Sequence, residues 1–151
     1  MASFEEEIKQ PNFTNEKLKA TLNVLFTANF LYNKITANLK PFNLTHEQFN
    51  VLRILRGSNP NSMCQKDILS RMIAPNSNLT LIIKKLVEKS WVMVEKSTSD
   101  KREYVINITE SGLKHLALID ENFKGKEDSF SQLSISESFH LNALLNKLRE
   151  D

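Results

Sequence analysis

Near the start of the chain, apolar side chains recur at three- and four-residue steps: Leu18, Leu22, Leu25, Phe26, Tyr32, Ile35 and Leu39. The spacing predicts one long helix from about Thr14 to Leu39, stopped by Pro41. Thr45-His46-Glu47-Gln48 has the spacing of a capping box, in which Thr and Gln side chains satisfy each other's backbone donors. It opens a second helix with Phe49, Leu52 and Leu55 as its stripe, ending at Gly57. Ser62-Met63-Cys64-Gln65 repeats that spacing and predicts a third helix, roughly Met63 to Met72, with Ile68, Leu69 and Met72 inward. Pro75 suits the first turn of a fourth helix reaching about Lys89, because its missing N–H is not needed there.

The period then changes. Trp91–Lys96 and Glu103–Ile108 alternate as the two strands of a hairpin, with Tyr104, Ile106 and Ile108 on one face and Val105 on the other. Between them lies a polar, basic loop, Ser97–Arg102. Thr109 caps a fifth helix with Leu113, Leu116, Ala117, Asp120 and Phe123 along one side and Gly125 near its end. Ser134, with Glu137 three residues on, opens a last helix from Ile135 to Leu148. The order helix, helix, helix, strand, charged loop, strand, helix describes a mainly α fold with a small β-hairpin wing (α+β). That is a winged helix-turn-helix, flanked by N- and C-terminal helices.

The fourth helix carries the most chemistry. Leu79, Ile82, Ile83, Leu86 and Val87 make its apolar stripe. The opposite face carries Ser77, Leu81, Lys84, Lys85 and Glu88, with Asn78 and Thr80 on its flanks. Short polar groups at one end and longer cations further along suit a helix that meets base edges and then phosphates. Leu81 either touches a thymine methyl or lies half-buried. Charge supports the same region. The whole 151-residue chain is only +2, but residues 53–102 hold ten Lys/Arg against four Asp/Glu, a net of +6, and the remainder is −4. A basic centre between acidic ends fits a DNA-facing module, or else a patchwork of solvated faces. At the wing tip, Lys101 and Arg102 would reach the adjacent backbone or minor groove. Gln65 and Lys66, opening the third helix, would donate to phosphate.

Other chemistries find little footing. His46, His115 and His140 lie in different helices without metal-ligand spacing. Three glycines leave no phosphate-cradling loop, and no Ser or Cys sits in a nucleophile motif. No catalytic residue, metal or cofactor is therefore expected. The single cysteine, Cys64, excludes an intrachain disulfide framework and is either a small core residue or a redox sensor. No apolar run approaches the ~20 residues that span a bilayer. With an acidic start that lacks a signal-peptide core, the expectation is a cytoplasmic protein without membrane contact.

Three stretches carry a likeness to a known family. Leu44-Thr45-His46-Glu47-Gln48-Phe49-Asn50-Val51-Leu52, Asp100-Lys101-Arg102 and Ile108-Thr109-Glu110-Ser111-Gly112 match, in order and spacing, the motifs of the MarR family (multiple antibiotic resistance regulators). The chain resembles that family over nearly its whole length. The resemblance implies a single domain, 1–151, that acts as a homodimer. Residues 14–40 and 110–151 would form the dimerisation helices, and 45–109 the winged helix-turn-helix lobe. It implies sequence-specific binding to a pseudo-palindromic operator in double-stranded DNA, most simply as a repressor. It also implies that Asp100 orients neighbouring arginines rather than touching DNA. Phe4, Ile8 and Phe13 at one end, and Phe130, Leu133, Phe139 and Leu144 at the other, are candidates for the dimer surface, or else cap the monomer core. Family members often bind a small aromatic or anionic ligand between the dimer helices and the DNA lobe. Here Phe26, Phe30, Tyr32, Phe42 and Phe49 would line such a cavity, or else are plain core. Two positions depart from the family pattern: Ser90 replaces a usual Gly after the fourth helix, and Leu81-Ile82 stands where many members carry Arg. The alternative reading is a winged helix that binds protein and not DNA.

Overall fold

A computed structural model describes residues 2–75, 77–124 and 132–150. They fall into two compact units, Met1–Ile119 and Asp120–Asp151. The first begins with a short helix, α1 (Phe4–Glu7), closed by a capping box between Ser3 and Glu6. This segment folds back on α2 (Glu16–Leu39): Glu5 pairs with Lys19, and the Phe4 ring meets Phe13 at 5.8 Å and Phe26 edge-on at 5.7 Å. Within α2 only Leu39 is buried, so the stripe through Leu18, Leu22 and Leu25 stays open to solvent.

A 3-10 turn, Lys40–Phe42, and a left-handed Asn43 lead into α3 (His46–Ser58). The predicted capping box is present: Gln48 N–H donates to Thr45 Oγ1 and Thr45 N–H to Gln48 Oε1, both at 3.1 Å. Helix α3 runs through Gly57 to Ser58, and its buried residues are Gln48, Val51, Leu52 and Leu55. Phe49, placed in the stripe by its spacing, is only half-buried. Helices α4 (Gln65–Arg71) and α5 (Leu79–Glu88) follow. Both are shorter than the ~12–15 residues at which a helix becomes marginally stable alone, so packing must hold them. Leu52, Ile68, Leu86, Ile106, Leu116 and Ile119 are almost completely buried and form that core. Each such side chain contributes about 1.5–3 kcal/mol of burial.

The third helix starts two residues later than its sequence spacing suggests. Met63 and Ile106 exchange backbone hydrogen bonds at 3.0 and 2.8 Å, which holds Met63 extended and out of the helix. Cys64 becomes the N-cap, with no side-chain bond, and the Ser62 capping box does not form. The fourth helix is also shorter at its start. Pro75 lies in the turn, and Asn78 is the N-cap, its Oδ1 accepting from Leu81 N–H at 3.2 Å. Asn is among the preferred N-cap residues, and this cap outweighs proline's tolerance for the first turn.

Strands β1 (Val92–Lys96) and β2 (Tyr104–Ile108) pair antiparallel, with Val94 opposite Ile106 and Lys96 opposite Tyr104. Ile106 and Ile108 are buried, while Tyr104, at the wing end of the same face, is exposed. Helix α6 (Glu110–Phe123) begins where Thr109 Oγ1 accepts Gly112 N–H at 3.0 Å and donates to Ser90 O at 2.7 Å. Its buried positions are Gly112, Leu116 and Ile119, so the stripe is rotated from the expected one and leaves Ala117 and Asp120 exposed. On the buried side Gly112 lies against the Trp91 carbonyl; a Cβ there would stand 2.3 Å from that oxygen. In the second unit, α7 (Ile135–Leu148) has the predicted bounds and a Ser134–Glu137 capping box. None of its residues is buried, and Ile135 is 92% exposed. Gly125 and Phe130 lie outside the described residues.

Candidate nucleic-acid interface

Helix α5 is held on a turn fastened by polar side chains. Ser77 Oγ donates to Ala74 O at 2.7 Å, and Asn78 caps the helix. From the other side, Asn50 on α3 accepts Ile73 N–H at 3.0 Å, tying the turn to the body of the lobe. Leu79, Ile82, Ile83 and Leu86 face inward. Thr80, Lys84 and Lys85 are exposed, and Leu81 is 47% exposed. Sequence reasoning missed Asn50, although a polar residue beside the buried Val51 and Leu52 was the available signal.

The helix ends in a Schellman motif. Ser90 N–H donates to Val87 O at 2.8 Å and Trp91 N–H to Leu86 O at 3.1 Å. Ser90 sits at φ 62°, the left-handed region that glycine enters without a side-chain clash. The exit is therefore the usual geometry with an unusual residue. Trp91, just beyond, is buried with His115 stacked on its ring at 4.4 Å and Lys89 Nζ 5.0 Å from its centroid.

The wing folds around two side chains. Buried Ser97 accepts from Ser99 N–H and Asp100 N–H, both at 3.3 Å, and its own N–H donates to Glu103 O at 2.9 Å. Asp100 Oδ1 accepts Arg102 N–H at 2.9 Å. Asp100 thus shapes the loop through a backbone amide of its neighbour. Lys101 and Arg102 are exposed, as are Gln65 and Lys66 at the start of α4. Ser97 was not singled out from sequence; the run of small polar residues Ser97-Thr98-Ser99-Asp100 is the signature of such side-chain turns.

The five candidate ligand-lining aromatics do not gather in one cavity. Phe26 packs against Phe4, Phe30 is 56% exposed, and Tyr32 bonds Glu47. Phe49 lies under the Arg53 guanidinium at 5.7 Å, and Phe42 is half-buried in the 3-10 turn. Phe26 and Phe30 share a groove with Phe4 and Asn23, and Tyr32, Phe42 and Phe49 do not line it. A groove of about 720 Å³ lies instead between the end of α2 and α5, and is lined in part by Thr36, Lys40, Gln48, Lys85, Glu88 and Lys89. Among the described residues no group of His, Cys, Asp or Glu could hold a metal ion, and no helix is long and apolar enough to cross a membrane.

A short helix on a fastened turn, followed directly by a basic two-stranded wing, defines a winged helix-turn-helix. The family model of MarR matches residues 44–104, from the entry to α3 through the wing. The transcriptional regulator MgrA of Staphylococcus aureus is 29% identical over 126 residues, covering 82% of this chain and 84% of MgrA. Two solved structures share the architecture. One is a mutant of Escherichia coli MarR complexed with operator DNA, with a TM-score of 0.77 and 21% identity over 92% of this chain and 99% of that one. The other is the MepR–DNA complex of S. aureus, with a TM-score of 0.69 and 25% identity over 91% of this chain and 97% of that one. Residues 44–104 match the MarR family model, and over most of its length the chain is similar to MarR-type transcriptional regulators and shares their fold.

Proposed function

We propose that this regulator works in the cytoplasm as a homodimeric repressor on a pseudo-palindromic operator. Residues 14–40 and 110–151 join the protomers, and 45–109 form the DNA-binding lobe. The observation that carries this reading is the placement of Lys84, Lys85, Lys101 and Arg102, all exposed, on a helix and a loop whose other sides are locked by packing and hydrogen bonds. Helix α5 enters the major groove. Thr80 and Leu81 approach base edges, the latter through thymine methyl contact. Asn78 uses its carbonyl oxygen for the cap, which leaves its NH2 donors for a base, and Ser77 keeps an acceptor. Lys84 and Lys85 meet phosphates, Gln65 and Lys66 add phosphate donors, and the wing reaches the flanking backbone. Asp100 supports the wing without touching DNA.

The open apolar stripe of α2 and the exposed Phe139, Leu144 and Leu148 of α7 support association with a second copy. The groove beside α5 supports modulation by a small ligand. Three lysines, Lys40, Lys85 and Lys89, against the single carboxylate of Glu88 favour an anionic compound, and binding there would change how α5 sits against α2 and so change DNA affinity. A protein-binding winged helix without DNA affinity is not favoured, because such a module has no use for exposed cations on both α5 and the wing.

Selection of bound fragments from random-sequence duplex tests this reading. Enriched sites should be inverted repeats with half-sites about one DNA turn apart, ~34–36 Å, occupied by two protomers. No enrichment, together with binding that ignores salt, would sink it.

A further inference from the structure

Tyr32, in the second half of α2, reaches the first turn of α3. Its hydroxyl donates to Glu47 Oε1 at 2.9 Å, and its ring stands edge-on to His46 at 5.3 Å. His46 and Glu47 are the first two residues of α3, so one side chain of the long helix grips the start of the DNA-binding lobe. The covalent path between the two helices is a 3-10 turn and a left-handed residue, Asn43 at φ 52°. Asn enters that region more readily than most residues, which suits a bend whose angle other contacts must fix. A second tie acts on the same corner: Lys89 Nζ, at the C-cap of α5, donates to Asn43 O at 2.7 Å. The long helix, the bend and the recognition helix therefore meet through two polar links.

The protonation states suit the link. The hydrogen bond to Glu47, then burial, then the carboxylate charge push the Tyr32 phenol above its ordinary value. Burial works against the Glu47 carboxylate. Its own backbone amide, the Tyr32 and Thr45 hydroxyls and His46 outweigh that and hold it below the usual range.

We infer that Tyr32 is a positioning residue for DNA recognition: through Glu47 it sets the angle between α2 and the lobe that carries α5. The inference rests on the homodimer reading, in which α2 belongs to the joined part, so that this angle becomes the separation of two recognition helices. Tyr32 touches no DNA in this role. Removing its hydroxyl loosens the spacing requirement and leaves the phosphate contacts in place.

The test uses the full chain and three duplexes. One is a palindrome selected with the wild-type protein, one is the same palindrome with one base pair added between its half-sites, and one is an unrelated sequence. Tyr32→Phe should bind the selected palindrome roughly three- to tenfold more weakly, the range a single hydrogen bond supports. Its preference for the native over the lengthened spacer should shrink. Affinity for the unrelated duplex, its salt dependence and the dimer mass should match wild type. Glu47→Ala should act alike, and the double variant should be no worse than either single one. A wild-type spacing preference in Tyr32→Phe, or additive losses in the double variant, would overturn the inference. Uniform weakening on all three duplexes would also overturn it, because that is the mark of general destabilisation. A wild-type protein that selects no palindrome would instead overturn the homodimer reading itself.

Discussion

Ser90 and Gly112 show how single residues set the backbone just beyond α5. Ser90 closes α5 from a left-handed conformation that costs an L-residue about 1–2 kcal/mol. Ser90→Gly removes that cost and gives back part of it through a more flexible unfolded chain. A net stabilisation of about 0.5–1 kcal/mol is expected in urea unfolding, with DNA affinity unchanged. Gly112 is the opposite case. A Cβ there would lie 2.3 Å from the Trp91 carbonyl oxygen and 2.8 Å from Ile108 Cγ1. Because one of those neighbours is backbone, Gly112→Ala should cost about 1–3 kcal/mol in the same measurement. The family pattern made Ser90 conspicuous in the sequence. The demand on Gly112 was visible only as a motif, since its cause is a contact with Trp91, far back in the chain.

The helices owe their limits to caps, and three carboxylates in first turns, Glu5, Glu47 and Glu137, give the protein its acid sensitivity. The Lys19 hydrogen bond holds Glu5 below the ordinary carboxylate range, and the backbone and hydroxyl of Ser134 hold Glu137 there; Glu47 is lowered as well. A carboxyl lowered in the folded state stabilises while ionised, and that stability is lost as pH falls through its folded value. The raised Tyr32 acts at the other end: its contribution is present below about 10, the ordinary phenol value, and fades as pH rises through the folded value. The urea midpoint should therefore hold steady near neutrality and fall below about pH 4, where ordinary carboxylates titrate. Glu47→Ala should have a shallower acid limb, and a wild-type midpoint that climbs on acidification would contradict this account. The element order was legible because the hydrophobic period switches cleanly from 3.6 to 2 and back. The capping boxes at Thr45 and Ser134 were legible too, being local. The starts of α4 and α5 were not. At Ser62 and Pro75 the sequence offers two chemically sound beginnings, and a backbone pairing with Ile106 decided one while the Asn78 cap decided the other. The Gly112–Trp91 contact and the Tyr32–Glu47 link join residues far apart in the chain, so no local pattern encodes them.

Taken whole, the chain is nearly neutral, and its DNA affinity must come from where the charge sits. The basic segment from 53 to 102 carries +6, against −4 elsewhere. In the folded lobe its exposed lysines and Arg102 are carried by α5, the wing and the start of α4. A net-negative remainder repels phosphate, which favours orientations that bring the basic segment to a polyanion. The most direct test is the slope of log affinity against log salt for wild type, Lys84→Ala and Arg102→Ala on one selected operator. Each variant should stay folded and dimeric, bind more weakly at every salt, and lose about one unit of slope, the share of one phosphate contact. Wild-type affinity and slope in both variants would mean that α5 and the wing do not face DNA.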